Sequence, residues 1–169
     1  MGAASPPVAG APRTDRGPAT VPGDGGRPGW RRPCLALAAG ALLGAGLPPL
    51  GWWPLALIGA GLLAAAARAQ GLRHRLLVGA VAGLGFLAPG LLWMTEFHVV
   101  GFALAVVLET ALFALGVAAV APRRGHAVSL PGALVLAEAA RGIWPFGGVP
   151  VATLAQTQIG GPLAFASRL

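Results

Sequence analysis

The stretch from Val99 to Ala121 carries one charged residue, Glu109, in an otherwise apolar or small-residue run. At 1.5 Å per residue a helix of that length covers about 34 Å, enough to cross the hydrocarbon of a bilayer. Four further apolar runs accompany it, near 34–47, 53–67, 76–94 and 130–144. Only 10% of the chain is charged. A soluble domain carries about a quarter, and this chain could not cover its own surface in water. The expected fold class is therefore all-α: a polytopic transmembrane helical bundle of about five spans, with a disordered N-terminal tail.

Residues 1–33 are rich in Pro, Gly, Ala and Arg, with nothing large and apolar before Trp30 except scattered valines and Met1. Such a segment buries too little surface to offset chain entropy, so 1–33 is expected to be a disordered tail. The first run, Cys34–Leu47, is short for a span, and Trp30 with Arg31-Arg32 can extend it into the interface. Pro48-Pro49 stops it, and Trp52-Trp53-Pro54 restarts a helix that runs to Ala67. Pro89-Gly90 is expected to kink the third run near its far end. Residues 145–169 are broken by Gly and Pro and form a connecting segment after the membrane region, 34–144.

All 12 basic residues are arginines, and 10 of them lie in the tail, the 68–75 loop and the 122–126 loop. The turns at 48–52 and 95–98 hold none. If five runs span, those three arginine-bearing regions share one side, which the positive-inside rule makes cytoplasmic. The net charge of +7 is thus a topology signal rather than a nucleic-acid stripe. Cys34 follows Arg31-Arg32-Pro33, which is neither a lipidation context nor enough for a twin-arginine signal. A lone cysteine also excludes an internal disulfide. Pro48-Pro49 is a poor cleavage context, so the first run reads as a span rather than a signal peptide.

Few residues could carry chemistry. Glu109 sits mid-span, where a carboxylate must be neutral, paired, or facing protein or water. It fits either a structural contact to a neighbouring helix or a polar site near a lipid headgroup or proton path. Glu138 and Arg141 lie three apart on one helix face and can pair. Glu96 and His98 fit an ordinary polar turn at the outer interface better than an acid–base pair. His74 and His126 stand beside arginines in inner loops. No phosphate loop, metal-spaced cluster or nucleophile elbow is present, so no metal or cofactor is expected. Gly40/Gly44 and Gly79/Gly83 have the spacing of close helix contacts. On these residues alone a transporter, an anchor and a lipid-modifying enzyme all fit.

Three stretches narrow the choice: Leu47-Pro48-Pro49-Leu50-Gly51-Trp52-Trp53-Pro54-Leu55-Ala56-Leu57; Gly83-Leu84-Gly85-Phe86 through Leu91-Leu92-Trp93; and Leu136-Ala137-Glu138-Ala139-Ala140-Arg141-Gly142 with Gly148-Val149-Pro150 and Gln158-Ile159-Gly160-Gly161-Pro162-Leu163. In this order they resemble the N-terminal membrane region of the bacterial apolipoprotein N-acyltransferases, over about residues 33–169. The chain departs from that pattern at Val149 and Val151 and at Ala155-Gln156, where the family carries aromatic residues.

The resemblance implies transfer of an acyl chain from a membrane phospholipid to the N-terminal diacylglyceryl-cysteine of a lipoprotein, at a bacterial inner membrane. It implies a thioester on a cysteine of an extracytoplasmic nitrilase-like domain, with a glutamate base and a lysine. This chain has no lysine, and its one cysteine precedes the first span. No catalytic residue is carried over; the triad is expected beyond Leu169, and the chain alone is expected to be inactive. Glu138, Arg141 and Gly142 match the family's Glu-x-x-Arg-Gly motif and, with Glu109, are the candidates for substrate contact or scaffold. The expected partners are the phospholipid donor and the lipoprotein acceptor. The alternatives are a small transport or binding module and a non-catalytic anchor.

Overall fold

The computed structural model describes residues 30–68, 71–120, 126–144 and 151–164. The expected tail up to residue 29, the arginines of the 122–126 loop with the side chain of His126, and Gly148-Val149-Pro150 lie outside the described residues. Among the described residues there are five α-helices, two 3-10 turns and no strand. The helices are α1 (Arg31–Ala45), α2 (Trp53–Ala67), α3 (Leu72–Gly90), α4 (Val99–Ala119) and α5 (His126–Ile143). The 3-10 turns are Leu92–Glu96 and Gln156–Gln158.

Helix α2 coincides with the second apolar run, and its Pro54 sits in the first turn, where a missing N–H costs nothing. Helix α1 begins before its run, at Arg31, because Pro33 too falls within a first turn. Helix α3 likewise begins at Leu72, so Arg73, His74 and Arg75 belong to its first turn rather than to a loop. At its other end Pro89 does not kink a continuing helix. The helix ends at Gly90, Leu91 N–H donates to the Leu87 carbonyl, and the Leu92–Glu96 turn leads on to α4. His98 caps α4, its Nδ1 accepting from Gly101 N–H at 3.1 Å. Gly51 takes a φ of 62° in the turn before α2.

The helices alternate in direction, and small residues set how close they come. A Cβ on Gly40 of α1 would run into the Ala82 carbonyl of α3, so backbone meets backbone there. A Cβ on Gly59 of α2 would lie 2.7 Å from the Ala39 carbonyl oxygen of α1, and one on Gly79 of α3 would lie 2.7 Å from Ala114 Cα of α4. Both predicted glycine pairs thus lie on helix contacts: Gly40/Gly44 on α3, and Gly79/Gly83 on α4. Larger side chains fill the space between, with Phe86 of α3 and Phe113 of α4 tilted 50° at 6.0 Å between centroids. Helix α5 packs chiefly on α4 and touches α2 only lightly.

The segment 151–164 folds back over the end where α1 and α3 finish and α2 begins. Ala152 is buried against Leu47 and Gly90, Thr157 is buried against Gly46, and Gly161 lies under the Trp53 ring. Large apolar side chains remain exposed on all five helices, among them Leu37, Ile58, Leu84, Val107 and Val135. Among the described residues Val99–Ala119 is the one helix long and apolar enough to cross a membrane by length and composition, with a mean hydropathy of 2.2.

Candidate functional site

Helix α5 turns Leu130, Leu134, Ala137 and Arg141 toward the bundle, a 3–4 spacing that puts one charge at the end of an apolar stripe. Helix α4 buries Glu109 and Thr110 one to two turns before Phe113 and Val117. A Cβ on Gly116 of α4 would sit 2.7 Å from Ala137 Cβ. That close crossing lets the long Arg141 side chain extend along α4 toward Glu109.

Arg141 is the hub. Its Nε donates to Glu109 Oε2, and its NH2 donates to the Val151 carbonyl at 3.1 Å. Its NH1 stands 3.5 Å from Glu138 Oε1 and has no hydrogen-bond partner among the described residues. Glu138 Oε1 in turn accepts from Leu154 N–H at 2.5 Å. The side chains of Arg141 and Glu109 are 5% and 6% exposed, whereas that of Glu138 is 18% exposed. Charges this deep persist only when paired, so each of Arg141 and Glu109 is a condition for the other.

This arrangement ties α4, α5 and the segment after α5 to one another. It comprises two carboxylates and a guanidinium. Among the described residues no group of three His, Cys, Asp or Glu could hold a metal ion. Cys34 is exposed near the start of α1, at the far end of the bundle from Arg141. Glu96 is exposed, and His98 serves as the cap of α4. His74 is exposed on the first turn of α3.

The structure brings Glu109, Glu138 and Arg141 into one cluster. Gly142 stands beside it in chain order but faces open space: an added Cβ would meet nothing within 4 Å among the described residues. Sequence reasoning paired Arg141 with Glu138, yet the closer partner is Glu109, 32 residues away. It marked Gln156 only as a departure from the family pattern and did not pair it with Thr153. Gln156 N–H donates to Thr153 Oγ1 at 3.2 Å, and Thr153 N–H donates to Gln156 Oε1 at 3.1 Å. That reciprocal pair is a capping box, legible as Thr-x-x-Gln. It rigidifies the turn that carries Leu154 to Glu138.

No curated protein matches the chain in sequence. Residues 39–169, which include every helix beyond the first turns of α1 and the whole Arg141 cluster, match the apolipoprotein N-acyltransferase N-terminal domain. The chain belongs to that family.

Proposed function

We propose that this chain is the multi-pass membrane domain of an apolipoprotein N-acyltransferase, serving as scaffold for acyl transfer rather than performing it. The family match carries this reading, together with the cluster in which Glu138 and Arg141 of the family's Glu-x-x-Arg-Gly motif meet the buried Glu109. The transfer would take an acyl chain from a phospholipid to the diacylglyceryl-cysteine of a lipoprotein at a bacterial inner membrane. The domain would hold the catalytic part at the outer surface and admit both lipid substrates from the bilayer.

Five helices cross the membrane in this reading, with the N-terminus cytoplasmic, the residues before α1 as its tail, α1 to α5 as the spanning region and 145–169 on the outer side. The apolar side chains exposed on every helix support it, since they suit lipid as solvent. Helices α1 and α2 have 15 residues each, about 22 Å at helical rise. The exposed indoles of Trp30 and Trp52 carry them into the headgroup level. Trp93, Phe97 and Trp144, also exposed, suit the same outer level as Trp52.

In this reading Glu109 and Arg141 are scaffold residues, Glu138 ties the outer segment to them, and Gly142 keeps the lipid-side face of α5 clear. The test reconstitutes the purified chain with phospholipid and a diacylglyceryl lipopeptide. A photoactivatable lipopeptide should crosslink to the chain without gaining a third acyl group. Formation of the N-acylated product, or no crosslink above that of an unrelated helical membrane protein, would overturn it.

A further inference from the structure

Ala152 is the one non-glycine among the described residues with a positive φ, 53°, and it is buried. An L-residue in that left-handed region is disfavoured by contact between its Cβ and the backbone. Backbone strain of this kind persists only where neighbours enforce it. Here the enforcing groups are visible on both sides. One residue before, the Val151 carbonyl accepts from Arg141 NH2; two residues after, Leu154 N–H donates to Glu138. Both tethers come from one turn of α5.

Residues 153–158 are held together by their own hydrogen bonds. These are the Thr153–Gln156 capping box, the Thr157 Oγ1 donation to the Leu154 carbonyl at 2.6 Å, and the Gln158 Nε2 donation to Thr157 Oγ1 at 3.2 Å. Leu154 N–H to Glu138 links this unit to α5. Toward α1 and α2 the segment is seated by close packing: the buried Thr157 on Gly46, and Gly161 on Trp53. The side of the bundle it crosses is where α5 and α2 barely touch.

We infer that residues 153–158 form a releasable strap that swings as a unit about Ala152, latched shut by Glu138, while the Arg141–Val151 bond holds the fixed side of the hinge. Release relaxes the left-handed residue, opens the end of the bundle between α5 and α2, and exposes the outer edge of Arg141, whose NH1 has no hydrogen-bond partner among the described residues. Glu109 stays bonded to Arg141 Nε throughout, so the helix pair beneath does not come apart. The inference concerns the chain's own motion and does not depend on the acyltransferase reading.

Thr157, 2% exposed and part of the strap itself, reports on release against a common Thr157→Cys parent. Thr157→Cys in a Cys34→Ser background would be labelled in bilayers with a membrane-impermeant maleimide. Glu138→Gln keeps an acceptor oxygen but loses the charge, and should raise the labelling rate several-fold, as expected when a charge-assisted bond becomes a neutral one. Leu154→Pro removes the donor from the other side, ahead of the Gln156–Gln158 turn, and should raise it similarly. Ala152→Gly removes the strain and should slow labelling several-fold. Amide exchange at Phe86 and Phe113 should stay unchanged in all of them. Unchanged labelling in Glu138→Gln and Leu154→Pro, or acceleration matched by equal acceleration at Phe86 and Phe113, would overturn the strap.

Discussion

Arg141 near the end of α5 and Glu109 in the middle of α4 are each the other's buried counter-charge, although 32 residues separate them in the chain. Their bond joins two helices that also meet at a close crossing of small residues, Gly116, Ala133 and Ala137. The contribution of the pair is conditional: it adds little over a well-packed apolar pair, but half of it is worse than none.

Arg141→Leu should therefore destabilise the chain by about 3–5 kcal/mol, because it leaves Glu109 buried and uncompensated. The double variant Glu109→Leu with Arg141→Leu should recover most of that loss. Denaturant unfolding in a fixed detergent, followed by Trp fluorescence, measures both. A double variant as unstable as the single one would show that the pair does more than neutralise itself.

The glycines divide sharply by position. Gly40→Ala should cost about 1–3 kcal/mol, since its Cβ meets backbone that has no rotamer to yield. Gly61→Ala and Gly142→Ala face open space and should stay within about 0.5 kcal/mol of the parent. Thermal unfolding of the three variants side by side separates them, and an equal effect at all three would contradict the seam between α1 and α3.

Thr153→Ala removes the oxygen that accepts from Gln156 N–H and should destabilise the Gln156–Gln158 turn by about 1 kcal/mol. The effect is local. Amide exchange should speed up at Gln156 and leave the α3–α4 core, with Phe86 and Phe113, as it was. Acceleration in the core would mean that the turn is integral to the bundle's stability.

Topology has its own test. In a Cys34→Ser background, Leu50→Cys should react with an impermeant thiol reagent added outside intact cells, and Arg73→Cys only after the inner face is opened. Both positions are exposed. Labelling of Leu50→Cys from the cytoplasmic side alone would reverse the proposed orientation.

How much of the fold and the site was legible depended on the range of the interaction. Local rules served well: Trp52-Trp53-Pro54 marks the start of α2, and the spacing of Gly40/Gly44 and Gly79/Gly83 marks helix contacts. Helix starts were harder. At Arg31 and Leu72 the polar first turn lies outside the apolar run, because hydropathy tracks side chains while the helix tracks backbone hydrogen bonds. Glu138 and Arg141 could be paired from their spacing, but nothing in a one-dimensional pattern selects Glu109 as the stronger partner. That choice is made by the α4–α5 crossing at Gly116. The fold-back of 151–164 was hidden for a different reason. Its anchors are Gly46, Gly90 and Trp53, residues whose sequence neighbours say nothing about what will rest on them.

The meeting of Gly40 with the Ala82 carbonyl has a mechanical consequence. Helices α1 and α2 form one hairpin, α3 and α4 the next, and the two hairpins join along α1 and α3. A contact lined with long side chains would let one hairpin slide or twist while the side chains changed rotamer. At Gly40 no side chain stands between the two backbones, so a sideways load on either hairpin passes directly to the other. The first four helices thus respond to force as a single beam, to which α5 is fastened both by the Arg141–Glu109 charge pair and by the close crossing of Gly116 with Ala133 and Ala137.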